Sequence, residues 1–480
     1  MKKWHLALLF LLCYLMPRLF VGTTLGLLSD EGLYVIMMEE QMTHATLIPT
    51  FFGYEMGWKP PLYFWLSIPF VAAAKATPLP IELVYRLSNL IFGLLAAIPL
   101  YLIYRKFQSE EFSYLGLLAY ALLPLVIYPE SRALTDTLCF LFLLTAVWAY
   151  LEYKKGQIYF LLAAVAVFLA FFTKQTLAFL PPIVFAAYLW QNDKKTLKSK
   201  EFLLSLLALP VAFIINYLAY SSPAEANLVF SEIITGKLLG GLTYDIIFTT
   251  LAPLLYLSGP FLVLAALGVI RNWKNNAFFS VWLLLIIFPL LAGKNMPWYF
   301  LPIAPAIIYF SLLAIFKDGE KLRIDAFAMF MFGIFLITSW VFFFPIYQMN
   351  NNAALPAKAV GEFLAFKENV LIAGKYSSGV FAYKELEERR VLGRPLDYGL
   401  IIIQEPDNTS LQKLIDNYHY KNASIVDGNF LTMFYDNRTY RKDTNLTKFS
   451  YVAITGELNV TAGEKIENVT DVNWLAIYKR

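Results

Sequence analysis

Residues 28–66 read "LSDEGLYVIMMEEQMTHATLIPTFFGYEMGWKPPLYFWL" and set Asp30, Glu31, Glu39, Glu40 and Lys59 among aromatics and prolines. Further on, Glu130, Arg132 and Asp136 stand in "YPESRALTDTL", Lys174 in "FFTKQTL", and Lys294 and Tyr299 in "GKNMPWYF". A carboxylate can act as a general base or a metal ligand, while lysine and arginine hold a phosphate by charge and hydrogen bonds. A substrate carrying both a phosphate and a hydroxyl would suit this mixture. Each residue also has a plainer reading. Asp30 is well placed to cap a helix over "EGLYVIMMEEQM", and Arg132 and Lys174 can be anchors that snorkel from helix ends.

The elements that must carry these residues are membrane helices. Of the 480 residues, 59% are hydrophobic and only 15% charged, and the mean hydropathy is +0.57, well above that of soluble proteins. The chain is therefore expected to be a polytopic α-helical membrane protein, with membrane lipids around it and no nucleic-acid partner. The two cysteines, Cys13 and Cys139, lie in apolar runs and offer neither a disulfide framework nor a metal motif. His5, His44 and His419 are scattered, which disfavours a histidine metal site. No Walker loop, GxGxxG or HExxH motif occurs, which argues against a nucleotide-driven pump or a zinc protease.

The opening "MKKWHLALLFLLCYLM" imitates a signal peptide, but Arg18 stands where a small-residue cleavage site would follow, so a retained first helix is expected. Stretches long enough to cross a bilayer, about twenty residues each, fall near 4–28, 84–104, 112–129, 134–152, 157–173, 175–191, 201–220, 246–270, 277–293, 298–316 and 325–347. A further apolar run, 61–74, is short and follows Pro60. Treating it as interfacial places Lys2–Lys3, Arg105–Lys106, Lys154–Lys155 and the basic loops at 191–200, 271–276 and 317–323 on one side. Cytoplasmic loops retain lysine and arginine, so eleven crossings are expected, with the amino terminus cytoplasmic and the carboxyl terminus outside. Asp30, Glu31, Lys59, Glu130, Arg132, Asp136, Lys174, Lys294 and Tyr299 then all emerge at the outer face. Ionisable groups are costly at hydrocarbon depth, so their gathering at one end implies a polar cavity that opens outward.

The expected domains are a membrane domain at 1–348, whose outer loop 29–83 carries juxtamembrane helices, and an extracytoplasmic domain at 349–480. N-x-[ST] sequons cluster in the second, at Asn408, Asn422, Asn437, Asn445, Asn459 and Asn468, which fits exposure to an N-glycosylating compartment. Short β-prone runs, "NVLIAG", "YGLIIIQ", "YVAIT" and "NWLAIY", flank the helix-like "SLQKLIDNYH", so the tail is expected to be α/β or α+β. The sequons favour an archaeal surface membrane over an endoplasmic reticulum, since no retention signal ends the chain at "AIYKR".

An Asp-Glu pair after the first helix, Tyr34 three residues past Glu31, and "KPPL" from Lys59 resemble the GT-C glycosyltransferases, closest to the protein mannosyltransferase and aminoarabinose transferase branch. The resemblance continues through "YRLSNLIFGLL" with Arg86, "SRALTDTLCFLF" with Asp136, "FFTKQTLAFLPP" with Lys174 and "GKNMPWYFLPIAPAI" with Tyr299, spanning about 14–316. It implies the GT-C fold and transfer of a sugar from a polyprenyl-phosphate carrier to a lipid, glycan or protein acceptor at the outer face. Asp30 then takes the role of catalytic base, with Glu31 and Asp136 as further acidic groups. Lys59 takes the role of carrier-phosphate ligand, and Tyr34, Arg132, Lys174, Lys294 and Tyr299 stand as substrate-binding candidates. No cofactor is required by that chemistry, a divalent cation is left open, and no metal ligand is assigned. The chain departs from the aminoarabinose branch at Leu33, where that branch has arginine, and at Trp58, where it has an acidic residue.

Loop 221–245, with Glu225, Glu232, Lys237 and Asp245, is a candidate lid or an ordinary connector. A carrier or flippase for lipid-linked saccharide is the competing class. It predicts charges toward both faces and inverted repeats, and neither is visible in the sequence.

Overall fold

The computed structural model describes residues 3–27, 30–44, 46–51, 54–55, 59–219, 244–284, 297–318, 321–322, 324–367, 370–374, 377–392, 399–402, 423–426, 451–455, 464–466 and 475–479. The chain divides into two compact units: Met1–Thr23, Leu47–Pro49 and Met56–Ile346 form the first, and Thr24–Thr46, Thr50–Glu55 and Tyr347–Arg480 the second.

The first unit is helical. It contains α1 (Lys3–Thr24, to its last residue but one), α3 (Leu62–Lys75), α4 (Ile81–Phe107), α5 (Glu110–Leu122), α6 (Pro124–Glu130), α7 (Thr135–Leu151), α8 (Ile158–Phe171) and α9 (Leu180–Asn192). It continues with α10 (Lys200–Leu206), α11 (Ala208–Leu218), α12 (Tyr244–Ser258), α13 (Pro260–Asn272), α14 (Ala277–Leu284), α15 (Ala304–Phe316), the antiparallel pair β3 (Lys317–Asp318) and β4 (Lys321–Leu322), and the first part of α16 (Ala326–Leu364). The helices α7 and α8 pack closely because small residues face each other, Ala146 and Ala149 on one and Ala163 and Ala166 on the other, all buried. Aromatic rings seal their far end, where Tyr150 stacks on Phe185 with centroids 4.7 Å apart.

Among the described residues, five helical stretches are long and apolar enough to cross a membrane, or up to seven if each of two bent pairs counts as one span. The expectation of eleven differs from this for local reasons. The run at 112–129 breaks between α5 and α6 with a 55° bend, and the run at 246–270 breaks between α12 and α13 with a 98° bend. Helices α7 and α8 have 17 and 14 residues, and at about 1.5 Å per residue fall short of a ~30 Å hydrocarbon core. The run at 175–191 begins as a 3₁₀ turn, Gln175–Phe179, and the run at 277–293 lies outside the described residues after Leu284. At 14 residues α3 is also too short to cross.

The basic loops gather at one end of this unit. Lys106 pairs with Glu152 at 3.4 Å and Lys155 with the same carboxylate at 2.8 Å. The Tyr153 hydroxyl donates to Asp193 at 2.9 Å, and Gln108 joins Tyr309 at 2.8 Å, whose hydroxyl donates to Asn276 at 2.6 Å.

In the second unit, α2 (Asp30–Thr43), the hairpin β1–β2 (Thr50–Phe51, Tyr54–Glu55) and the end of α16 accompany a six-stranded mixed sheet. Its strands are β5 (Val370–Gly374), β6 (Gly399–Ile402), β7 (Ala423–Val426), β8 (Tyr451–Thr455), β9 (Glu464–Ile466) and β10 (Leu475–Lys479), in the order β7-β6-β5-β8-β10-β9. The pairs of β5 with β6 and β8, and of β6 with β7, are parallel, whereas β10 is antiparallel to β8 and β9. Helix α17 (Ser377–Leu392) packs against β5, β6 and α2. The six sequon asparagines lie outside the described residues.

Candidate active site

Four of the expected site residues meet in the first unit, at the ends of α7 and α8 opposite the basic loops. Asp136 lies in the first turn of α7, where exposed backbone N–H groups favour a carboxylate. Helix α8 ends at Phe171, and Lys174 begins the 3₁₀ turn after it. Its Nζ donates to Asp136 Oδ1 at 2.5 Å and stands 4.1 Å from the centre of the Tyr299 ring. Arg132, in the turn before α7, donates to the Tyr128 hydroxyl at 2.8 Å and lies over the rings of Tyr128 and Trp298, 5.4 and 5.5 Å from their centres. Asn89 of α4 fixes this turn, since its side-chain amide donates to the carbonyls of Arg132 and Leu134.

Lys59 is half-buried immediately before Pro60 and Pro61, which start α3. The Leu62 N–H donates to the Phe172 carbonyl at 3.1 Å, so the entry to α3 is tied two residues from Lys174. Lys59 helps to line a cavity of about 260 Å³ with Leu62, Trp65, Phe168, Phe172 and Ile215, and apart from Lys59 and Asn216 its lining residues are apolar. A space of this size is below the ~300–1,000 Å³ of sites that enclose a drug-sized ligand, and it suits a section of a long hydrocarbon chain.

The second unit holds the acidic pair. Asp30 is the first residue of α2 and half-buried, Glu31 is fully buried and Tyr34 nearly so. Asp30 is thus inside the helix rather than the residue before it, and both acids sit in its first turn. Farther along α2, Glu39 and Glu40 are buried, and Glu40 accepts a hydrogen bond from Thr50 at 2.7 Å. Lys294, Trp58 and most of the 221–245 loop lie outside the described residues.

Glu130 is enclosed rather than open to a cavity. It ends α6 with no exposure, and Arg18 Nε donates to it at 2.6 Å. Arg18 also reaches the carbonyls of Tyr14, Ala121 and Tyr120, lies 3.8 Å over the Tyr14 ring, and leaves Glu130 to Tyr120 on its other side. The only sequence signal for this pair was an arginine within an apolar run, since its partner is 112 positions away. Arg86 is likewise buried and donates to the Gly22 carbonyl at 2.7 Å. Among the described residues, no three His, Cys, Asp or Glu side chains gather as a metal site.

Residues 58–218 match the family model described as dolichyl-phosphate-mannose-protein mannosyltransferase. Among solved structures, ArnT from Cupriavidus metallidurans bound to undecaprenyl phosphate is similar, with a TM-score of 0.62 and 12% identity over 99% of this chain and 98% of that one. The Archaeoglobus fulgidus oligosaccharyltransferase in its apo form gives 0.57 and 11% over 95% and 70%. The same organism's AglB in complex with an inhibitory peptide and a dolichol-phosphate gives 0.53 and 11% over 93% and 69%. No curated protein sequence matches. The likeness to these structures is one of fold, and residues 58–218, about a third of the chain, carry the family pattern described as dolichyl-phosphate-mannose-protein mannosyltransferase.

Proposed function

We propose that this chain is a glycosyltransferase that moves a glycosyl group from a polyprenyl-phosphate-linked sugar to a hydroxyl of a lipid, glycan or protein at the extracytoplasmic membrane face, with inversion at the anomeric carbon. The observation that carries this reading is the placing of Lys59 on an apolar cavity, with its Pro-Pro helix tied beside the turn of Lys174. A polyprenyl phosphate has the same division, an anionic head on a hydrocarbon chain. Two of the similar structures are complexes with such lipids, undecaprenyl phosphate and dolichol-phosphate.

In the proposed reaction the acceptor oxygen attacks the anomeric carbon and gives its proton to Asp30. The bond from the anomeric carbon to the phosphate oxygen breaks, and its electron pair leaves with the polyprenyl phosphate. Lys59, Arg132 and Lys174 stabilise that developing charge, with Tyr299 beneath Lys174. A phosphodiester is a fair leaving group, so positioning and charge do most of the work and no protonating acid is needed. Asp136 orients Lys174, while Glu31 and Tyr34 support Asp30 from the same helix. Lys294 belongs to the proposed phosphate set from its place in the sequence. The amino terminus is cytoplasmic in this reading, and the domain from 349 onward faces out with its six sequons.

Lys59→Ala tests the donor side. Binding of undecaprenyl phosphate and dolichyl phosphate to the purified chain in detergent should weaken about tenfold to hundredfold, the worth of one charged hydrogen bond. An unchanged Kd would remove Lys59 from the phosphate site.

A further inference from the structure

In the proposed reaction the base is carried on α2, a helix of 14 residues. Helices this short are marginal alone in water, so its position comes from what it packs against. Its approach is fixed by the C-terminal part of the chain. The Leu27 N–H donates to the Tyr383 hydroxyl oxygen at 2.9 Å, with both residues buried. One residue earlier, a Cβ on Gly26 would stand 2.5 Å from the Cβ of Ala354 on α16 and 2.9 Å from the Tyr383 hydroxyl. The chain therefore enters α2 through a gap that only glycine fits.

The same helix, α17, follows α2 to its other end. Arg389 holds Glu385 with bonds of 2.8 and 2.6 Å and reaches the hydroxyl of Thr43, the last residue of α2, at a longer 3.4 Å. Lys384 pairs with Glu388, whose carboxylate also accepts the N–H of Phe366 at 3.1 Å, which joins α17 to the end of α16. Tyr383, Lys384, Glu385 and Glu388 are all buried.

We propose that the C-terminal unit sets the position of the base, with Tyr383 as the positioning residue that holds the backbone three residues before Asp30. The inference rests on the transferase reading above and deepens it by giving the tail a part in turnover. A carboxylate must meet the acceptor proton within hydrogen-bond reach, and a misplacement of about 1 Å can cost on the order of a hundredfold. Tyr383→Phe removes the hydroxyl that accepts from the Leu27 N–H, without changing the ring.

The test uses the full chain in detergent and compares turnover, carrier binding and amide exchange. Tyr383→Phe should lower kcat about tenfold while KM for the donor and the stoichiometry of undecaprenyl phosphate binding stay unchanged. Amides in the first turn of α2 should exchange faster while those of α7 and α8 keep the parent rate. Gly26→Ala should lower kcat in the same way, and Ala354→Gly added to it should restore most of the loss by reopening the gap. An unchanged kcat in Tyr383→Phe overturns the proposal, as does a fall in kcat matched by an equal fall in carrier binding. No transfer by the parent chain from any polyprenyl-phosphate donor overturns the transferase reading and the positioning role with it, whereas failure of the positioning role alone leaves parent transfer intact.

Discussion

Two ion pairs in the first unit differ in their surroundings. Arg18 spends its hydrogen-bond donors on Glu130 and on the carbonyls of Tyr14, Ala121 and Tyr120, with no exposure. A pair so enclosed gains little net stability over an apolar packing, yet removing one partner costs about 3–5 kcal/mol, so it acts as a joint between α1, α5 and α6. Lys174 is different: 17% of its side chain remains exposed and its neighbours are Asp136 and an aromatic face, as its proposed contact with a phosphate requires. In the second unit, Glu385 shows what burial does to a carboxylate. Desolvation pushes its pKa up to about 7, Arg389 pulls it down in part, and Glu40 and Glu39 on α2 push it up further. One of its oxygens has no hydrogen-bond partner, as suits a group that is largely protonated below neutrality. The folded chain thus holds more protons than the unfolded one between pH ~4.5 and ~7, and stability falls as pH rises through that window, by about 3 kcal/mol at most. The melting temperature of the second unit should accordingly drop between pH 5 and 8, and Glu385→Gln should remove most of that slope. An equal slope in the variant would assign it to other groups.

At the scale of elements, the bends decide where side chains emerge. Gly259 adopts φ 53° and ψ −135°, a conformation that L side chains rarely take, and a Cβ there would lie 2.9 Å from the Cα of Ser339. Gly259→Ala should therefore destabilise the α12–α13 corner by about 1–3 kcal/mol, read as an earlier thermal loss of carrier binding; an unchanged profile would show that the corner yields. Pro260 after this glycine and Pro124 after Leu123 are breaks that the sequence displays, but an apolar run either side of a proline reads as one span until its bend is known. The entry to α3 was legible for the same local reason, since Pro60 and Pro61 must precede a helix start. Asp136 and Lys174 were recognisable as polar residues at helix ends, and their pairing across 38 positions was not. The burial of Glu130 was not legible, because "YPES" looks like a turn and nothing nearby in the chain names Arg18 as its partner. Tyr383 carries no sequence mark at all: its importance comes from Leu27, 356 positions away.

For the whole molecule, charge and fold agree on an axis in the first unit. The basic loops around Lys106, Lys155, Asp193 and Asn276 are joined by hydrogen bonds and ion pairs at one end, and Asp136, Lys174, Arg132 and Tyr299 lie at the other ends of α7 and α8. Cytoplasmic placement of the basic end is what the distribution of lysines predicts, and it leaves the proposed chemistry on the outer face. The proposed reaction rests on Asp30 as the base of a transfer from a polyprenyl-phosphate sugar. It is tested most directly by incubating the purified chain and its Asp30→Asn variant with radiolabelled polyprenyl-phosphate sugars and cell-envelope lipids, glycans and proteins. Transfer should occur with the parent chain and fall at least about a hundredfold in the variant, with carrier binding retained. Equal transfer by the variant would contradict Asp30 as the base, and a parent chain that binds carrier yet transfers nothing would contradict the proposed reaction.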